Sequence, residues 1–141
     1  MLTIILLLAT FILALLGIIH LYWAFGGSWG GRVAVPSTTA GSPTFRPGRL
    51  ATIVVAAALF AAAELLAMQA DLLPQRFDET WTIWGCRMCA IVFGVRTIGD
   101  FRYVGLFRSV RGTAFAKYDA RLFTPLCFLL CLAYIAALIA S

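Results

Sequence analysis

The sequence predicts an all-α polytopic membrane protein: a four-transmembrane-helix bundle with a short interfacial helix between helices 3 and 4. Three observations carry this reading. Of 141 residues, 62% are hydrophobic and only 12% charged, about half the charged share of a soluble domain. The apolar residues gather into four long runs, and a spanning helix needs roughly 20 such residues. Between the runs lie segments dense in Gly, Pro, Ser and Arg. So few charges leave too little polar surface to face water on all sides. Disorder is excluded for the opposite reason, since the apolar content is far too high. The mean hydropathy of +0.96 agrees, and residues 1–141 are read as one transmembrane domain.

The first run, expected as a helix over residues about 2–25, stops at Gly26-Gly27, where a left-handed cap costs least without a Cβ. It has no basic leader and no small-x-small cleavage site, so it reads as a retained helix and not a signal peptide. A Gly-, Ser-, Thr- and Pro-rich loop over 26–48 follows. The second run, about 49–72, is broken only by Glu64 and closes before Pro74. Small residues such as Ala56, Ala57, Ala61, Ala62 and Ala63 allow close helix contact there. The third, about 80–98, has Asp78 or Thr80 as N-cap candidates and Gly99 as its stop. The loop over 99–123 holds Tyr103, Leu106, Phe107 and Val110 at i, i+3, i+4 and i+7. That spacing predicts a short helix over 101–110 lying in the interface plane. The fourth run, about 124–140, opens on Thr124-Pro125, a cap followed by proline at the first helical position.

Orientation follows from the basic residues. Arg32, Arg46, Arg49, Arg102, Arg108, Arg111, Lys117 and Arg121 fall on one side of a four-span chain, and only Arg76 falls on the other. The positive-inside rule then puts the two longer loops in the cytoplasm and both termini outside. The net charge of +5 is explained by this topology and by attraction to anionic lipid, so no nucleic-acid partner is expected.

Ionisable groups inside hydrocarbon are costly and therefore functional candidates. Glu64 lies six residues before Ala70 and Arg87 six after Trp81, each about 9 Å from the outer boundary at 1.5 Å per residue. Matching depth predicts an intramembrane Glu64–Arg87 ion pair, fixing helix register or serving a transport site. Cys86 and Cys89 form a CxxC in the third helix, and Cys127 and Cys131 sit one turn apart in the fourth. Cys86 and Cys89 read as packing residues, or as a redox pair working beside a quinone. One histidine and no converging ligand set predict no metal.

The richest chemistry lies at the cytoplasmic edge. His20, Tyr22 and Trp23 close the first helix, Trp29 follows in the Gly-rich turn, and Arg96, Asp100, Arg102 and Tyr103 close the third. Tyr118, Asp119 and Arg121 lead into the fourth. Aromatics and arginines collect at membrane boundaries because they are amphipathic. Aspartates do not, so Asp100 and Asp119 among basic neighbours predict a salt-bridge network that fixes the loop.

The strings His20-Leu-Tyr-Trp-Ala-Phe-Gly-Gly-Ser-Trp-Gly30, Phe45-Arg-Pro-Gly48, Arg96-Thr-Ile-Gly-Asp-Phe-Arg-Tyr-Val-Gly-Leu-Phe107 and Phe115-Ala-Lys-Tyr-Asp-Ala-Arg-Leu-Phe-Thr-Pro-Leu-Cys127 resemble the uncharacterised bacterial membrane-protein family filed as domain of unknown function 3995. The resemblance implies a small four-helix protein of the bacterial inner membrane and brings no activity with it. All four strings fall at the predicted cytoplasmic edge, which makes that edge the expected place of function. The leading expectation is a non-enzymatic module, without cofactor, that binds a lipid, another amphiphile or a partner protein there. The alternatives are a membrane thiol oxidoreductase using Cys86, Cys89 and a quinone, and a small transporter or channel subunit using Glu64 and Arg87. Membrane lipids are expected partners, and so small a bundle is expected to self-associate or join a larger complex.

Overall fold

The computed structural model describes residues 1–38, 42–45 and 47–140; Arg46, counted above among the basic residues, lies outside them. Its elements run α1 (Leu2–Ala24), α2 (Gly31–Ala34), α3 (Arg49–Gln69), α4 (Glu79–Ile98), α5 (Ala114–Tyr118), a π-helical turn (Asp119–Phe123) and α6 (Thr124–Ala140). Among the described residues, three helices are long and apolar enough to cross a membrane: α1, α3 and the continuous stretch Ala114–Ala140. The remaining long helix, α4, has 20 residues, about 30 Å of rise. Glu79, Arg87 and Arg96 make it the most polar of the set.

Successive helices run antiparallel, as the registers of their contacts show. Gly17 sits against the ring of Phe60, where an added Cβ would meet Cζ at 2.9 Å. Nearer the end of α1, His20 shares a cleft with Thr52 and Val55 of α3. Leu65 packs on Gly85, and the Cys86 thiol reaches the Leu65 carbonyl at 3.5 Å. Phe93 stacks on Tyr134 at 5.9 Å. The Tyr134 hydroxyl donates to the carbonyl of Ala62 at 2.7 Å, which ties α6 to α3 across the bundle.

The core is thin: Leu13, Leu66, Met68, Cys86, Leu130 and Tyr134 are its largest fully buried apolar side chains. Large apolar side chains such as Phe11, Ile18, Val54, Ile91, Leu129 and Ile139 lie on the outside instead. A surface of that kind is a poor fit to water and a good one to lipid.

Two sequence expectations are corrected here. Residues 101–110 form no helix. The chain instead makes a tight corner in which Gly99 and Gly105 have φ of 89° and 88°, and Phe101 has φ of 62°. A Cβ on Gly105 would strike the carbonyl of Ile98 and the Cα of Gly99. Backbone conformation of this kind overrides an apolar 3.6-residue period. The short helix of this connection is α5, further along the chain. Nor does Thr124 open a new helix, because α5, the π turn and α6 are continuous. The N-cap is Thr113, whose hydroxyl accepts the Ala116 N–H at 3.1 Å. Pro125 has no N–H to return to the preceding turn, and the wide π turn stands just before it.

Candidate functional site

The π turn points Asp119 inward, and its side chain is fully buried. A buried carboxylate needs partners on both oxygens, and they come from three parts of the chain. Oδ1 accepts from Arg96 Nη2 at 2.8 Å. Oδ2 accepts from the Gly105 N–H at 2.9 Å, from Thr124 Oγ1 at 3.0 Å and from Arg108 Nη1 at 3.4 Å. Arg108 Nη1 also donates to the Gly105 carbonyl at 2.6 Å. One carboxylate thus joins the end of α4, the corner after it and the start of the last helix. Two guanidinium groups on a single carboxylate leave the cluster with an excess positive charge. Arg96 Nη1 and Arg108 Nε are buried without an acceptor among the described residues.

Asp100 has a different role from the one expected. Its Oδ1 accepts the backbone N–H groups of Tyr103, Val104 and Arg102 at 2.7, 2.9 and 3.0 Å, so it braces the corner, and among the described residues it forms no ion pair. Partial desolvation pushes its carboxyl up, but the three N–H bonds prevail and hold it below the ordinary value of 3.8. Arg102 lies over the Tyr103 ring at 5.2 Å, and Arg121 is exposed. Asp100, Tyr103 and Arg96 line a small cleft of about 370 Å³ with Phe45 and Phe115.

Two larger clefts flank Trp23. The first, about 630 Å³, lies between the end of α1 and the start of α3, and is lined by His20, Trp23, Ala34, Phe45, Thr52 and Val55 among others. The second, about 660 Å³, opens between α1 and the last helix and is lined by Trp23, Trp29, Val33, Tyr118, Leu122 and Leu126 among others. Trp23 is the wall between them. Its Nε1 donates to the Trp29 carbonyl at 2.7 Å, and Trp29 N–H donates to the Tyr22 hydroxyl at 3.3 Å. His20 packs edge-on against Trp23 at 5.1 Å. These volumes match those of small-molecule sites, which are mostly apolar with a few polar groups.

The structure therefore divides the predicted edge residues. Trp23 joins His20 on one side and Trp29 and Tyr118 on the other, while Arg96 and Asp119 form the polar clamp beneath. The expected Glu64–Arg87 pair is not formed. Glu64 pairs with Arg76 at 2.8 Å, and Arg87 lies over the Trp84 ring at 5.0 Å. The reason is facing: α4 meets α3 through Gly85 and Cys86, and at about 100° per residue Arg87 turns to the exposed surface. Cys86, Cys89, Cys127 and Cys131 are all free thiols, Cys86 fully buried. No group of metal-ligating side chains gathers among the described residues. Sequence reasoning missed Gly105, Arg108, Thr124 and Thr52. The one available signal was the second glycine of the corner, six residues after Gly99.

Long apolar helices with an apolar exterior define a multi-pass membrane protein. Residues 13–134, most of the chain, match the family described as "Protein of unknown function (DUF3995)", and the chain belongs to that family. No curated protein and no solved structure matches it.

Proposed function

We propose that this chain spans the bacterial inner membrane four times, with both termini outside, and binds a membrane amphiphile at the cytoplasmic end of the bundle. The observation that carries this reading is Trp23, a hydrogen-bonded wall between two apolar clefts of about 630 and 660 Å³. Both clefts lie at the loop-bearing end, where an acyl or prenyl chain enters from the lipid between helices. The Asp119 clamp keeps the start of the last helix in place, so the wall that this helix gives the second cleft is preformed. As the third of the four spans, α4 keeps Arg96 at the cytoplasmic end in the clamp, while Arg87 reaches toward the outer interface along Trp84.

Native mass spectrometry of the protein released from lipid nanodiscs tests the binding. The wild type is expected to retain a non-protein amphiphile that Trp23→Ala loses; retention of every bound species by that variant overturns the site. The topology has its own test in a reporter fused after Ser141, a residue outside the described ones. The reporter is expected to be active outside the cytoplasm, and a cytoplasmic signal inverts the orientation.

A further inference from the structure

The cleft between α1 and α3 has a one-sided hydrogen-bonding character. Three side chains with polar hydrogens line it: His20, Trp23 and Thr52. Each already donates to a backbone carbonyl. His20 Nδ1 is 2.7 Å from the Leu16 carbonyl, and a carbonyl oxygen only accepts, so this nitrogen carries the proton. Trp23 Nε1 donates to Trp29, and Thr52 Oγ1 donates to the Gly48 carbonyl at 3.1 Å. In the neutral imidazole this leaves Nε2 as a lone-pair acceptor, and it has no partner among the described residues. The Thr52 oxygen likewise keeps its lone pairs. These side chains therefore offer acceptors and no free donor.

Among the described residues, no Asp, Glu, Lys or Arg lines the cleft. Among these described side chains an anionic head would find no cation, and an ammonium no carboxylate, each at a large desolvation cost. A ketone, ester or ether oxygen would find no free side-chain donor there, only backbone N–H groups of the first turn of α3. What fits is a neutral group that gives a hydrogen bond and carries a long apolar body.

We propose that the α1–α3 cleft binds a hydroxyl-terminated lipid, a long-chain or isoprenoid alcohol, whose O–H donates to His20 Nε2 with its chain lying along Ala51 and Val55. This inference rests on the amphiphile-binding reading and names the chemical class of ligand for one of its two clefts.

Equilibrium partition of radiolabelled probes between nanodiscs with and without the full-length protein tests it. The probes are hexadecanol, hexadecyl methyl ether, palmitic acid and hexadecylamine. The wild type is expected to bind hexadecanol about three- to tenfold more tightly than the ether, the share of one buried hydrogen bond. His20→Phe keeps a ring against Trp23 and is expected to erase that preference for alcohol over ether. Equal affinity for alcohol and ether in the wild type overturns the hydroxyl proposal without reference to any variant. So does tighter binding of the acid or the amine, or a preference that survives in His20→Phe. If alcohol and ether bind equally and Trp23→Ala loses both, the amphiphile reading stands and only the hydroxyl is refuted. If no probe binds above empty nanodiscs, both readings fall.

Discussion

Arg96 and Asp119, 23 residues apart in the chain, meet at 2.8 Å around a carboxylate with no exposed surface. Removing the charge from such a carboxylate strands two guanidinium groups, and the loss exceeds the net worth of the pair itself. Asp119→Asn is expected to cost about 2–4 kcal/mol, toward the lower end because the Arg96 side chain is 32% exposed. Thermal unfolding in nanodiscs measures it. Combining Asp119→Asn with Arg96→Gln should cost less than the sum of the single changes, since each variant removes part of the same network. Strict additivity would refute the clamp.

Arg87 carries the opposite expectation. With Glu64 held by Arg76 and Arg87 exposed over Trp84, Arg87→Leu removes no ion pair. Its effect on the unfolding midpoint is expected to stay within about 0.5 kcal/mol, the range of surface substitutions. A loss of several kcal/mol would instead restore the buried Glu64–Arg87 pair that matching depth predicts.

The corner after α4 has a pH signature. The Asp100 carboxyl is held below 3.8 by the N–H groups of Val104, Arg102 and Tyr103. A depressed folded-state value means that the stabilisation is fully present above the unfolded carboxylate value and is lost as pH falls through the lower folded value. Hydrogen-exchange protection of the Arg102, Tyr103 and Val104 amides, corrected for intrinsic rates, should therefore hold from neutral pH to about 4 and collapse below it. In Asp100→Ala it should be low throughout. Protection that ignores both pH and the substitution would show that Asp100 does not brace the corner.

How much of this was legible differs by level. Run lengths and glycine stops place α1, α3 and α4 because a spanning helix needs only length and apolarity. Asp119 in a basic surrounding likewise announces its ion pairs, since an aspartate gains nothing at an anionic membrane face. Facing is another matter. In lipid both the interior and the exterior of a bundle are apolar, so periodicity does not tell which side of α4 meets α3, and depth alone paired Glu64 with the wrong arginine. The buried Tyr134–Ala62 bond was invisible for the same reason. The 101–110 segment misled in a further way. Its apolar spacing is genuinely helical, but two left-handed glycines and a carboxylate gathering three N–H groups determine the backbone there.

The left-handed corner can be tested by comparing two glycines of this connection, Gly105 and Gly112. Gly105 has φ of 88°, an added Cβ would collide with the Ile98 carbonyl, and its N–H feeds Asp119 Oδ2. Gly112 lies in the same connection, and an added Cβ there meets nothing within 4 Å. Gly105→Ala should cost about 2–4 kcal/mol, combining backbone strain with displacement of the N–H from the buried carboxylate. Gly112→Ala should be neutral or slightly stabilising, by about 0.4–1 kcal/mol, because it restricts the unfolded chain without strain in the folded one. The corner and the clamp share that N–H, so Gly105→Ala should also lower the cost of a subsequent Asp119→Asn. If the two alanine variants unfold at the same temperature, the left-handed corner is not what seats Asp119. The buried carboxylate would then have to be held by Arg96, Arg108 and Thr124 alone.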